Sequence, residues 1–141
     1  MYSTERFVIH EHDAKTAGLH YDLRISIPNR DSLASFAIPK HKIPQKAGDK
    51  VLAVKTHDHG RIWLSIDNMT IPEGQYGAGS INIFQAGICE IEGWSYSHIT
   101  FRVNGSSVKE GLDGRYALIK FRGGKSGDRD NLWVLLKTKT Q

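Results

Sequence analysis

Residues 7–25, FVIHEHDAKTAGLHYDLRI, set His10 and His12 two apart and then His20, Asp22 and Arg24 in an i, i+2, i+4 series. In an extended chain successive side chains point to opposite faces, so each series lines one face of a strand. Two imidazoles and a carboxylate, His12, His20 and Asp22, make an N/O ligand set for a divalent cation such as Mn²⁺, Fe²⁺ or Zn²⁺, with positions left open for water and substrate. Arg24 beside them offers a bidentate clamp for phosphate or carboxylate. The plainer alternatives are a surface ion-pair stripe with a satisfied histidine, and an Arg24–Asp22 ion pair. A second H-x-H, His57 and His59 in KTHDH, ends another strand-like run. His59 there is suited to bind metal, to donate to a phosphoryl oxygen or to protonate a leaving group.

The elements that must position these residues are short strands. Apolar alternation and turn chemistry predict strands over 6–12, 19–27, 35–38, 51–57, 62–66, 80–85, 89–94, 98–103, 116–121 and 132–138. Pro28-Asn29, Asn104-Gly105, Asp113-Gly114 and residues 123–127 punctuate them. No window sustains a helical apolar stripe over three turns, and residues 42–50 have room for one short helical turn. The fold predicted is all-β: a closed or partly closed β-barrel with minor helical turns, as a single domain over 1–141. The apolar face of residues 19–25 (Leu19, Tyr21, Leu23, Ile25) then packs on the core. The polar face points into a cleft or a hydrogen-bonded network, because unpaired buried charge is costly.

Bulk composition narrows the class. A chain of 141 residues, 39 % hydrophobic and 24 % charged, can bury a core and is not compositionally disordered. No apolar run reaches a bilayer span and no signal-peptide pattern follows Met1, so no membrane partner is expected. The single cysteine, Cys89, excludes an internal disulfide framework and a cysteine-rich zinc site, and fits a core position in a cytoplasmic protein. The net charge of +4 is mild. Its basic residues cluster at Lys40, Lys42, Lys46, Lys50 and Lys55, and again at Arg115, Lys120, Arg122, Lys125 and Arg129, which suits a polyanion. Trp63, Trp94 and Trp133 are read as core, with Trp63 near enough to His59 to stack on a base. IPEGQYGAG at 71–79 is a glycine-rich turn and not a phosphate loop.

Four stretches in order, FVIHEHDAKTAGLHYDLRI, FAIPK at 36–40, VLAVKTHDH at 51–59 and IPEGQYGAG, together with the closing GRYALIKFR and NLWVLLK, carry a resemblance. The sequence resembles the 3′-phosphoesterase domain attached to bacterial DNA ligase D and its small free-standing archaeal and bacterial relatives. The resemblance implies a β-barrel with a concave active surface and a divalent metal, Mn²⁺ first, with Zn²⁺ and Co²⁺ as alternatives. It implies processing of DNA or RNA/DNA primer–template 3′ ends in non-homologous end joining. There, a terminal ribonucleoside is removed to leave a 3′-phosphate, and the 3′-phosphate is converted to 3′-OH. His12, His20 and Asp22 fall on metal-ligand positions, Arg24 and His59 on phosphate-contacting positions, and Lys40 on a basic residue near substrate. In the substrate shell His10 stands where Gln is more frequent, His57 where an acidic residue is common, Trp63 for a Tyr, and Val51 for a basic residue. A ligase and a polymerase are expected to act in trans.

Two other classes fit parts of the pattern. A cupin-like metal enzyme on a small molecule also places H-x-H on a barrel, but no Glu follows His12 at the customary spacing. A non-catalytic nucleic-acid end-binding module would retain the basic face without turnover.

Overall fold

The alternation of residues 7–25 folds as a hairpin in the computed structural model, which describes residues 2–121 and 131–139. Strand β1 (Ser3–Ala14) pairs antiparallel with β2 (Gly18–Ser26), Phe7 opposite Ile25 and His12 opposite His20. The chain continues through β3 (Ser32–Ile38), β4 (Lys50–Gly60), a 3-10 turn (Arg61–Leu64), β5 (Met69–Ile71), β6 (Gly79–Trp94), β7 (His98–Val103), β8 (Gly114–Lys120) and β9 (Leu132–Lys137). The strands run β1-β2-β3-β4-β9-β8-β7-β6 and close by pairing β1 with β6, with β5 added outside on β6. The result is an eight-stranded antiparallel ring, which leaves no strand of the ring without two neighbours and matches the predicted barrel.

Interior positions alternate as the sequence demands. Phe7, Ile9, Leu23, Ile25, Phe36, Ile38, Ala53, Phe101, Leu118 and Leu135 are all buried in one cluster, with Cys89 and Trp133 among them. At one end, Ile43 inserts into the core and the Tyr116 hydroxyl donates to the Pro44 carbonyl at 2.9 Å. Burial of apolar area on this scale is the main stabilising term.

The structure corrects several sequence expectations. Residues 62–66 are not a strand: β3 begins at Ser32, whose partner is Gly60, so β4 has no neighbour beyond that point and the chain turns away as the 3-10 turn. Residues 42–50 form no helical turn; Pro44 and Gly48 (φ +93) interrupt the segment, which runs as an irregular strap. The runs 80–85 and 89–94 are one 16-residue strand, held continuous across Ala86-Gly87 by its pairing with β1. Trp63 is not core but stands over a cleft on the outside of the ring. The expected turn at 123–127 lies outside the described residues, as do Arg122, Lys125 and Arg129 of the second basic cluster.

Gly79 starts β6 opposite Ala14, with φ +142, and an added Cβ would lie 2.0 Å from the Asp13 carbonyl oxygen. Gly60, with φ −70, has open space around its Cβ position. Gly79→Ala is therefore expected to cost about 3 kcal/mol or more, and Gly60→Ala about 0.5 kcal/mol or less, in denaturant unfolding. Equal midpoints for the two variants would contradict this account of how β6 begins.

Candidate functional site

The outer face of the β1–β2 hairpin carries the polar rows. Cross-strand pairing sets Val8 opposite Arg24, His10 opposite Asp22 and His12 opposite His20, so the side chains on that face meet as neighbours. Of these, His12, His20, Asp22 and Arg24 form the floor of a cleft of about 620 Å³, which Thr56, His57, His59 and Trp63 line on one flank and Gln75, Tyr76 and Gly77 on the other.

Asp22 is the hub. Its Oδ2 lies 3.2 Å from His12 Nδ1, its Oδ1 3.4 Å from His20 Nε2, and Arg24 Nη1 stands 3.8 Å away. Burial raises the affinity of the Asp22 carboxyl for a proton, but the His12 and His20 contacts and the Arg24 charge outweigh it and hold the group well below the usual carboxylate range. The same contact with Asp22 raises His20.

The other nitrogen of each ring is fixed by the backbone. His12 Nε2 donates to the Gly77 carbonyl at 2.7 Å, and His20 Nδ1 donates to the Gly18 carbonyl at 3.0 Å. A carbonyl only accepts, so in the neutral rings these nitrogens carry the protons. The lone pairs of His12 Nδ1 and His20 Nε2 then both face Asp22, an arrangement that demands positive charge between them. Metal-binding histidines are oriented in this way, through N–H donation to a carbonyl behind them. One ligand atom from each of His12, His20 and Asp22 lies within 4.8 Å of the others, and no other such trio occurs among the described residues. The donor set fits a divalent ion.

The remaining predicted residues separate into those at the cleft and those away from it. Arg24 lines it, with its Cζ 4.8 Å from the Trp63 ring centre, and its Nε and Nη1 have no hydrogen-bond partner among the described residues. His59 packs edge-on against Trp63 and stacks on His57, with Nδ1 2.8 Å from Ser35 Oγ. Burial, reinforced by the Arg24 and His57 charges, pushes His59 down to about 4. His10 is 0 % exposed beneath Trp63 and its Nε2 donates to the Ile66 carbonyl at 2.8 Å, so its contact with the cleft is through Trp63. Lys40 is exposed beyond the end of β3 and does not line the cleft, and Val51 is buried in the barrel interior.

Sequence reading passes over Ser35, Thr56 and the Gly77 carbonyl. A bulge in β4 explains the first two: Ser35 pairs with Thr56 but Leu33 with His59, so β4 carries one extra residue. That residue brings Thr56 and His59, which strict alternation would put on opposite faces, to the same cleft. The glycines of IPEGQYGAG are the available signal for Gly77, whose φ of +79 turns its carbonyl to His12.

Fold and cleft together define an antiparallel β-barrel whose outer face carries two imidazoles turned onto a buried carboxylate beside a buried arginine. The chain belongs to the DNA ligase D 3′-phosphoesterase domain family, whose model matches residues 10–120. It is 38 % identical over 133 residues to the "Multifunctional non-homologous end joining protein LigD" of Mycolicibacterium smegmatis, covering 86 % of this chain and 16 % of that protein. It is 35 % identical over 136 residues to the protein of the same name from Mycobacterium bovis, covering 96 % of this chain and 16 % of that one. The "Multifunctional non-homologous end joining DNA repair protein LigD" of Mycobacterium tuberculosis H37Rv is 33 % identical over 135 residues, again 96 % and 16 %. The chain thus spans about one sixth of the length of the curated relatives it matches. No helix among the described residues is long and apolar enough to cross a membrane.

The depressed His59 has a direct spectroscopic consequence. In an NMR titration its imidazole should protonate near pH 4 while an exposed histidine follows the ordinary value near 6.5. Between those values the unfolded chain binds a proton at His59 and the folded chain does not, so this group makes stability fall as pH falls. His59→Gln should flatten that part of the stability profile; a His59 midpoint near 6.5 would contradict the burial and Arg24 effects.

Proposed function

We propose that the chain is a metal-dependent phosphoesterase that trims 3′ ends of DNA or RNA/DNA primer–templates. It removes a terminal ribonucleoside to leave a 3′-phosphate, and removes a 3′-phosphate to leave a 3′-OH. The observation that carries this reading is the pair of imidazole lone pairs turned onto the buried Asp22 carboxylate, next to an arginine with unpaired donors. His12, His20 and Asp22 would hold the ion, with Mn²⁺ first and Zn²⁺ or Co²⁺ as alternatives. Bound there, a divalent ion supplies Lewis acidity toward a phosphoryl oxygen and toward water.

The chain's own groups do the rest. Arg24, on the cleft lining, brings its guanidinium charge to the equatorial oxygens as charge develops on them, while Trp63 packs on the guanidinium and restricts its rotamers. His59, neutral well below physiological pH, acts as a hydrogen-bonding group in the free protein and not as a cation. His57 stacks behind it. Lys40 and Lys42, exposed outside the cleft, would meet the duplex backbone. The relatives are named for non-homologous end joining, which makes DNA-end repair alongside ligase and polymerase activities the proposed setting. Family membership favours this reading over a small-molecule barrel.

The test uses a 5′-labelled primer–template ending in one ribonucleotide and a twin ending in 3′-phosphate, each with Mn²⁺ or chelator. Shortened or dephosphorylated product should need metal, disappear in His20→Ala, and fall about 10²–10³-fold in kcat in Arg24→Ala. Mn²⁺ should also raise the Tm of the wild-type chain but not of Asp22→Asn, by mass action on the folded state. Intact substrates with tight DNA binding would select the end-binding module instead.

A further inference from the structure

The loop between β5 and β6 holds an aromatic side chain that no packing requirement explains. Tyr76 is 93 % exposed, yet the backbone around it is fastened. Gln75 N–H donates to the Pro72 carbonyl and Ala78 N–H to the Gln75 carbonyl. Lys15 N–H donates to the Ala78 carbonyl, and the Lys15 side chain pairs with Glu73. Gly74 and Gly77, both at positive φ, allow the tight path. A large apolar ring on a fixed support, open to water, needs little further ordering when a flat partner arrives.

Its position in the cleft says what that partner is. The polar row on the floor runs from Arg24, under Trp63, to His12, which is bonded to Gly77. Trp63 and Tyr76 therefore stand at opposite ends of the site proposed to hold the phosphate. A phosphate in a nucleic-acid strand comes with a base on its sugar, and base–aromatic stacking is tolerant of sequence because every base has a π-face. The lining residues Thr16, Ala17, Ile71 and Gln75 are uncharged, and the adjacent Lys15 is paired with Glu73.

We infer that Tyr76 is the base-stacking platform of this cleft, covering the base of the nucleotide that carries the 3′-phosphate. This rests on the 3′-end phosphoesterase reading and adds to it a residue that selects nucleic-acid ends over phosphate esters without a base. Tyr76 positions substrate and takes no part in bond breaking.

The experiment measures binding by fluorescence anisotropy in chelator, where turnover is blocked, on a 3′-phosphate primer–template and on a twin whose last nucleotide lacks its base. Wild type should bind the intact end about 5- to 100-fold more tightly than the abasic end. Tyr76→Ala should lose that preference while binding the abasic end as wild type does, and Tyr76→Phe should keep it. With Mn²⁺, Tyr76→Ala should raise KM on the intact end and leave kcat unchanged. A preference retained in Tyr76→Ala, or an equal loss on both ends, would overturn the stacking role and leave the phosphoesterase reading intact. Failure of wild type to bind either end in chelator would overturn the stacking role, and failure to turn over the intact end with Mn²⁺ would overturn the phosphoesterase reading as well.

Discussion

A carboxylate only 9 % exposed, Asp22, must have positive charge or donors around it, and the outer face of the hairpin is organised to meet that demand. Its position is set by the β1–β2 register, which puts His10 directly opposite and His12 and His20 one step along. A one-residue slip would turn every member of the set to the barrel interior and bring Phe7, Ile9 and Leu23 out to solvent. The hydrophobic interior thus enforces the polar geometry outside. The same strands cannot satisfy one face without satisfying the other.

Local alternation accounts for the features legible in the sequence. Residues 7–25 announce both faces of the first hairpin, and two series spaced by two, His10 and His12 and then His20, Asp22 and Arg24, put each set on one strand face. The all-β class is legible for the same reason. Illegible features depend on partners distant in the chain. The continuity of β6 through Ala86-Gly87 is imposed by β1, and the end of β4 by the point where β3 runs out of residues. The 3-10 turn over Arg61–Leu64 has strand-like composition, and only the missing neighbour turns it away from the sheet.

The cleft flanks show the same limit at finer scale. The spacing of His57 and His59 points to a site, but the bulge that brings Thr56 to their side shows only in the β3–β4 register. Tryptophans are usually buried, which argues for Trp63 in the core, whereas here it covers His10 and Arg24 from outside. Resemblance puts Lys40 near the site, and it lies beyond the cleft lining. Backbone carbonyls leave no residue-type signature, so the role of Gly18 as hydrogen-bond acceptor for His20 is beyond sequence reading, and that of Gly77 for His12 is signalled only by the glycines of its loop.

The β1–β6 closure also has a kinetic side. It joins Ser3 to Ile91 and Ala14 to Gly79, contacts of long sequence separation that are slow to form. His12, His20 and Asp22, by contrast, sit on one hairpin and can meet as soon as its turn closes. The Gly77 carbonyl that orients His12 reaches it only when the chain leading into β6 has docked. The three side chains thus share one local pairing, while the orientation of the His12 ring depends on the long-range seam that closes the ring.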